Sequence, residues 1–395
     1  MNFAEMTIKE IIDNHPETRD IFVSNGFEHF KDDAKLNTLG KFLKLETALK
    51  NKKYDVGTFV ALLDEKVNSN EAAADVTLKK AKTEGAVSMK GLLPCPVRLP
   101  ILEKIDAYAE SEGVSVTYKL EAASVGADWM NAEIRNADSV ASLSDIYLSA
   151  GFELFFSKKF RDKLDADGSF RNLVETGINK RFTDLKLEDP RGLLSIVALV
   201  PAVFMLNLEE QGGMPEPKTW ADLLRPEYEN KVALPVGDFD LFNAILLSIY
   251  KEHGMEGVKK LGKCLIKSMH PAEMVKNAGK KVADKPYITI MPYFFTKMLA
   301  GLKTVKVLFP EDGAIVSPVF MLARDKEGVR PLAQAVAGKE VGEILTQKGL
   351  FPSTHPDVNN VLPDYAPFKW IGWDFIENND IDQVIEETMN VFKNS

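Results

Sequence analysis

The sequence predicts an α/β protein in which a two-lobed body follows a small all-helical module. Three observations carry that expectation. From Ala86 onward, short apolar runs of strand length alternate with stretches of helical spacing. The first 67 residues show helical spacing only. The full length of 395 residues exceeds what one ordinary core organises, so two or three domains are expected.

In the head, Thr7 and Glu10 have capping-box spacing, and Ile8, Ile11 and Ile12 give the helix behind them an apolar face. Pro16 suits the first turn of a second helix and Gly26 its stop. Leu39, Phe42, Leu43 and Leu49 are expected to form a further helical stripe, and Val56, Phe59, Val60 and Leu63 another. Residues 68–85 hold small and charged side chains without an apolar stripe. They read as a linker between residues 1–67 and the body.

The body opens with the strand VSMKGLL, a helix over 97–111, the strand VSVTYKL, a helix over 129–137 and the strand SDIYLS. This order implies a mostly parallel sheet with helices on both faces, and ligands held at the carboxyl ends of strands. Residues 193–208, interrupted by Pro201, read as a buried strand that carries the chain into a second lobe. That lobe would hold KVALPV as a strand, a helix over 240–253 and YITIMP as a strand. KTVKVLFP is expected to return to the first lobe, followed by amphipathic helices over 331–349 and 381–394. No repeat recurs at a fixed period, which disfavours a solenoid or propeller.

Two family resemblances follow from these segments. MTIKEIIDNHPETRDIFVSNGF and TLGKFLKLETALKNKKYDVGTFVALLDEKV are similar to a DUF1858-type domain over residues 1–67. Many such domains carry a cysteine pair after the Gly-Phe; here Glu28, His29 and Phe30 stand there, so that thiol chemistry is not implied. His15 and His29 read as exposed or capping histidines, with a metal or haem site as the alternative.

Residues 86–395 resemble the substrate-binding proteins of ABC transporters, of the type II periplasmic-binding-protein fold, especially the ferric-iron group. PEPKTWADLLRPEYENKVALP, FPEDGAIVSPVFMLARD and LAQAVAGKEVGEILTQKGLFPSTHPDV match three family segments in the family's order. The resemblance implies two α/β lobes on paired crossover strands, with 86–199 and 306–395 in lobe 1 and 200–305 in lobe 2. It implies a small-molecule or ion ligand, held either for ABC-type uptake with a permease as partner or for cytoplasmic sensing. Iron-binding members carry adjacent tyrosines, whose phenolates are the hard anionic donors that Fe³⁺ requires. Tyr293 matches the first of the pair and Phe294 replaces the second. An anion or metal–anion species is therefore expected in place of tightly held ferric ion.

Candidate ligand contacts lie at the ends of strands. Cys95 and Arg98 sit in GLLPCPVRLP, where free helix N–H groups and a guanidinium suit an oxyanion, although Pro94 and Pro96 remove two amide donors. Ser149 and Gly151 follow SDIYLS and equally suit a plain turn. Asp238 or Asp240 caps the next helix or reaches ligand, His270 opens another, and Tyr293 is a hydrogen-bond donor or part of an aromatic wedge. An enzyme on the same scaffold, using Cys95 and His270, is the competing reading.

The acidic balance, 49 Lys+Arg against 58 Asp+Glu, without long basic runs, argues against nucleic acid as a partner. Two cysteines cannot form a disulfide framework or a four-thiolate metal site. No cofactor is expected, since the phosphate-loop, nucleophile-elbow and zinc-helix motifs are missing. No run of about 18 apolar residues suggests membrane insertion. The N-terminus lacks leader features, so the chain as written is expected in the cytoplasm; a removed leader would place it in the periplasm or outside the cell.

Overall fold

The computed structural model describes residues 3–24, 27–52, 56, 59–60, 63, 67, 78–79, 86–93, 95–122, 127–152, 154–236, 239–269, 271–280, 282 and 284–395. At residues 17, 20, 24, 28, 78, 79, 95, 96, 99, 122, 239, 272 and 276 the description stops at the backbone. The chain divides into two compact units, Met1–Leu78 and Lys79–Ser395. Most of the expected linker, and Gly26, lie outside the described residues.

In the first unit, Thr7 caps the helix Ile8–Asn14 as its sequence predicts. Its hydroxyl accepts the amide of Glu10 at 3.2 Å, and the Glu10 carboxylate accepts the Thr7 amide at 2.8 Å. Ile8, Ile11 and Ile12 face a core that includes Phe22, Phe27, Phe30, Leu49, Phe59 and Leu63. Pro16 opens a short turn, Pro16–Thr18, that leads into the helix Arg19–Ser24. The expected stripe over 39–49 is replaced by another arrangement. Leu39 and Phe42 are 56% and 78% exposed, while Leu36 and Leu45 are buried. Leu36–Gly40 winds as a wider π-helical turn, and the chain bends before the helix Leu45–Asn51. Spacing counted across that bend does not describe one helix face. His15 meets the ring of Phe3 edge-on, and His29 lies 4.2 Å from Phe30, which makes both part of the aromatic packing.

In the second unit, β1 (Leu78–Lys79) stands at the boundary, followed by β2 (Val87–Leu93), β3 (Val116–Ala122), β4 (Ile146–Ala150) and β5 (Leu194–Asn207). Then come β6 (Val232–Leu234), β7 (Leu265–Ser268), β8 (Ile288–Pro292), β9 (Val305–Leu308), β10 (Ala314–Ala323) and β11 (Phe368–Lys369). The sheet runs β3-β2-β4-β10-β5-β8-β6-β7, with β9 on β5 and β11 on β10. β2 lies parallel to β3 and β4, and β6 parallel to β7 and β8, with helices in the connections. The expectation of a mostly parallel sheet therefore holds for β3-β2-β4 and for β7-β6-β8. The two crossover strands depart from it: β10 is antiparallel to β4 and β5, and β5 is antiparallel to β8 and β9.

All fourteen residues of β5 are buried, as are all ten of β10. Residues 194–201 of β5 pair with β10, and residues 202–206 pair with β8. The exchange of partners falls at Pro201, which has no N–H to contribute to either ladder. β9, expected to return to the first lobe, pairs instead with residues 204–207 of β5, on the edge opposite β8; β10 makes the return. The amphipathic stretch over 331–349 forms two helices, Arg330–Val336 and Lys339–Gly349, because Gly338 between them is extended.

The terminal helix Ile381–Lys393 packs along the helix Phe239–Cys264, with Phe392 edge-on to Phe242 at 4.9 Å. Upstream of it, Arg161 holds Asp189 and Glu377, each at 2.7 Å, and Arg191 holds Glu377 at 2.5 Å. Arg161 and Asp189 are buried, so removing one partner leaves an uncompensated charge.

Leu49 is fully buried in the head core. Leu49→Ala is expected to destabilise the head by about 2–5 kcal/mol and to leave the melting of the body in place. Scanning calorimetry of the full chain tests this: two transitions should resolve, with only one of them displaced.

Candidate functional site

The crossing of β5 and β10 places the end of β4 beside the start of the helix Phe239–Cys264. Gly151, just past β4, donates its amide to the carbonyl of Pro318 at 2.9 Å and takes a φ of +97°. A Cβ there would stand 2.9 Å from Oδ1 of Asp240 and 3.1 Å from its Cα. The glycine is required twice, by its backbone conformation and by this close approach. Ser149, two residues earlier, is fully buried, and among the described residues its hydroxyl has no hydrogen-bond partner. The sequence marked Gly151 and an aspartate cap separately; their contact spans 89 positions and leaves no local signature.

Tyr293 begins the 3-10 turn Tyr293–Leu299 directly after β8. Its ring meets Phe309 edge-on at 5.0 Å, and it lines a cavity of about 330 Å³ with Thr296, Leu299, Val305 and Val307. Burial raises the pKa of its phenol. Phe294 stacks on Phe351 at 6.0 Å, with a 26° angle between the rings. Four residues beyond Tyr293, Lys297 donates from Nζ to the carbonyls of Gln347 at 2.7 Å and Lys348 at 3.2 Å. In the sequence, Lys297 is marked only by its position one helical turn after the tyrosine.

Arg98 lies in the first turn of the helix Cys95–Ser111 and is 2% exposed. Neither Arg98, Ser149 nor Gly151 lines the Tyr293 cavity. Asp238, His270 and the side chain of Cys95 lie outside the described residues. The thiol of Cys264 is buried, donates to the carbonyl of Leu223 at 2.9 Å, and is pushed by burial up to about 12. Among the described residues, no group of three or more His, Cys, Asp and Glu side chains is placed to hold a metal ion. Among them too, no helix is long and apolar enough to cross a membrane.

Two half-sheets strung on a pair of buried crossover strands define a mixed α/β fold of the periplasmic-binding-protein kind. Solved structures agree. The ferric binding protein from Campylobacter jejuni is 14% identical, with a TM-score of 0.56 over 78% of this chain and 98% of that one. Apo ferric ion-binding protein A of Pasteurella haemolytica is 14% identical, with a TM-score of 0.55 over 78% and 96%. The periplasmic binding protein AfuA from Actinobacillus pleuropneumoniae, with fructose-6-phosphate bound, is 13% identical, with a TM-score of 0.53 over 79% and 100%. No curated protein matches the chain significantly. The sequence pattern of the bacterial extracellular solute-binding proteins matches residues 141–379, and the chain belongs to that family. A domain of unknown function, DUF1858, matches residues 4–60.

Gly151→Ala is expected to cost at least 1–2 kcal/mol from its left-handed backbone, measured by urea unfolding. Adding Asp240→Ala should recover only part of the loss, because the Cα of residue 240 stays close. Alkali supplies a second outcome. The folded pKa of Cys264 stands above its ordinary 9.0, so the unfolded chain loses this proton first. Its contribution to stability is complete below pH 9 and is lost as pH rises from there toward about 12. Cys264→Ala should flatten this part of the curve of stability against pH.

Proposed function

We propose that the body binds a small anionic solute by closing two lobes about β5 and β10, and delivers it to an ABC permease. The observation that carries this reading is that β5 belongs to both half-sheets, with its partner exchange at Pro201. A hinge needs only a few residues whose hydrogen bonds survive rotation, and ligand selects the closed form through its greater affinity for it.

Two features support an anion in preference to bare ferric ion. Phe294 cannot supply the second phenolate, and burial opposes ionisation of Tyr293. Arg98 supplies a buried positive charge in the first turn of a helix. The structural relatives support the same class: one is described with fructose-6-phosphate bound, and another, from Trichodesmium, with iron and citrate.

The test is a fluorescence titration of the full chain with inorganic phosphate, citrate and ferric citrate. Arg98→Ala should weaken anion binding about ten- to hundredfold, as expected for losing a charge-assisted donor. Phe294→Leu should weaken it less, with circular dichroism confirming that both variants fold. A tyrosinate-to-iron charge-transfer band that Tyr293→Phe abolishes would overturn the reading.

A further inference from the structure

The helix Lys339–Gly349 ends with Leu350 in a left-handed conformation, φ 47°. The amide of Leu350 bonds the carbonyl of Thr346 at 3.1 Å, and that of Phe351 bonds the carbonyl of Leu345 at 3.0 Å. These bonds close the helix but leave its final carbonyls turned outward. The carbonyls of Gln347 and Lys348 are the ones that accept from Lys297. This helix packs on the helix Cys95–Ser111, in the half that contains β2 and β4. Lys297 comes from the turn after β8, in the other half.

The contact joins the halves through one side chain on main-chain carbonyls, at a spot where a cation suits the negative end of a helix. Withdrawal from water lowers the pKa of Lys297 and so opposes the ammonium form, which the two carbonyls favour. Beside it, the stack of Phe294 on Phe351 joins the same two segments. Phe294 occupies the position at which the resemblance to iron-binding members implies a second tyrosine. Here its ring contacts the opposite half.

We propose that Lys297 and Phe294 form a latch. Lys297 caps the open carbonyls of the helix Lys339–Gly349, Phe294 stacks behind it, and together they hold the halves closed. They are positioning residues: they set the balance between open and closed forms, and solute affinity follows from that balance. The inference rests on the hinge reading above, and the experiment separates the two.

Spin labels at Glu229→Cys and Glu327→Cys, one on each half, report their separation by pulsed dipolar spectroscopy. The full chain carries Cys95→Ser, while Cys264 stays buried and unlabelled. No solute is added. Lys297→Met should raise the ratio of long to short distances about two- to fivefold, the range for one cation at a helix end. Phe294→Ala should add to it, and Lys297→Arg, which keeps the charge and the donors, should return it toward the native ratio. Gly151→Trp, a wedge between β4 and Asp240, serves as the control that forces the halves apart. Distances that lengthen with the wedge but not with Lys297→Met overturn the latch and leave the hinge standing. Distances that change in no variant, the wedge included, overturn the hinge and the latch together.

Discussion

The antiparallel pairing of β5 with β10 is the constraint on which the body depends. Both strands are apolar and buried on both faces along their whole length, a pattern that only covering layers on each side can satisfy. β5 outlasts its pairing with β10 and gives its remaining residues to β8 on one edge and β9 on the other. Two parallel half-sheets thus share one continuous strand. Backbone hydrogen bonds oppose bending almost everywhere along it. They oppose it least at Pro201, where one ladder ends and the next begins and no amide is available to lose.

Two unmet polar groups lie near the same crossing. The hydroxyls of Ser149 and Ser317 are fully buried and have no partner among the described residues, although each such group costs about 1–3 kcal/mol. Ser149 is the last residue but one of β4, and Ser317 adjoins Pro318, whose carbonyl receives the Gly151 amide. These two hydroxyls give up stability where the chain passes from one half to the other.

The chemistry around Tyr293 bears on the solute we propose for this fold. A phenol binds Fe³⁺ as phenolate, and ionisation is helped by cations or metal nearby and hindered by burial. Tyr293 faces an apolar cavity, beside Phe309, and its neighbour is a phenylalanine engaged with Phe351. Family membership settles the architecture and the general task of holding a solute. The donor set at this strand end argues separately about which solute.

Features that depend on near neighbours in the chain were legible from the sequence. The Thr7–Glu10 box, the strands VSMKGLL and YITIMP, the buried run through Pro201 and the terminal helix follow from spacing and side-chain type over a few residues. The π-helical turn at Leu36–Gly40 was not legible, because nothing in apolar spacing marks a change of helical pitch, and Leu39 and Phe42 consequently face solvent. At the junction of the halves, residue types alone identified Gly151 and Tyr293 as positions of interest but not their partners. Asp240 against Gly151, Lys297 on Gln347 and Lys348, and β9 beside β5 were decided by the tertiary structure. These contacts join segments 50 to about 100 positions apart, where chain connectivity imposes no geometry and only the packing of the whole body selects a partner.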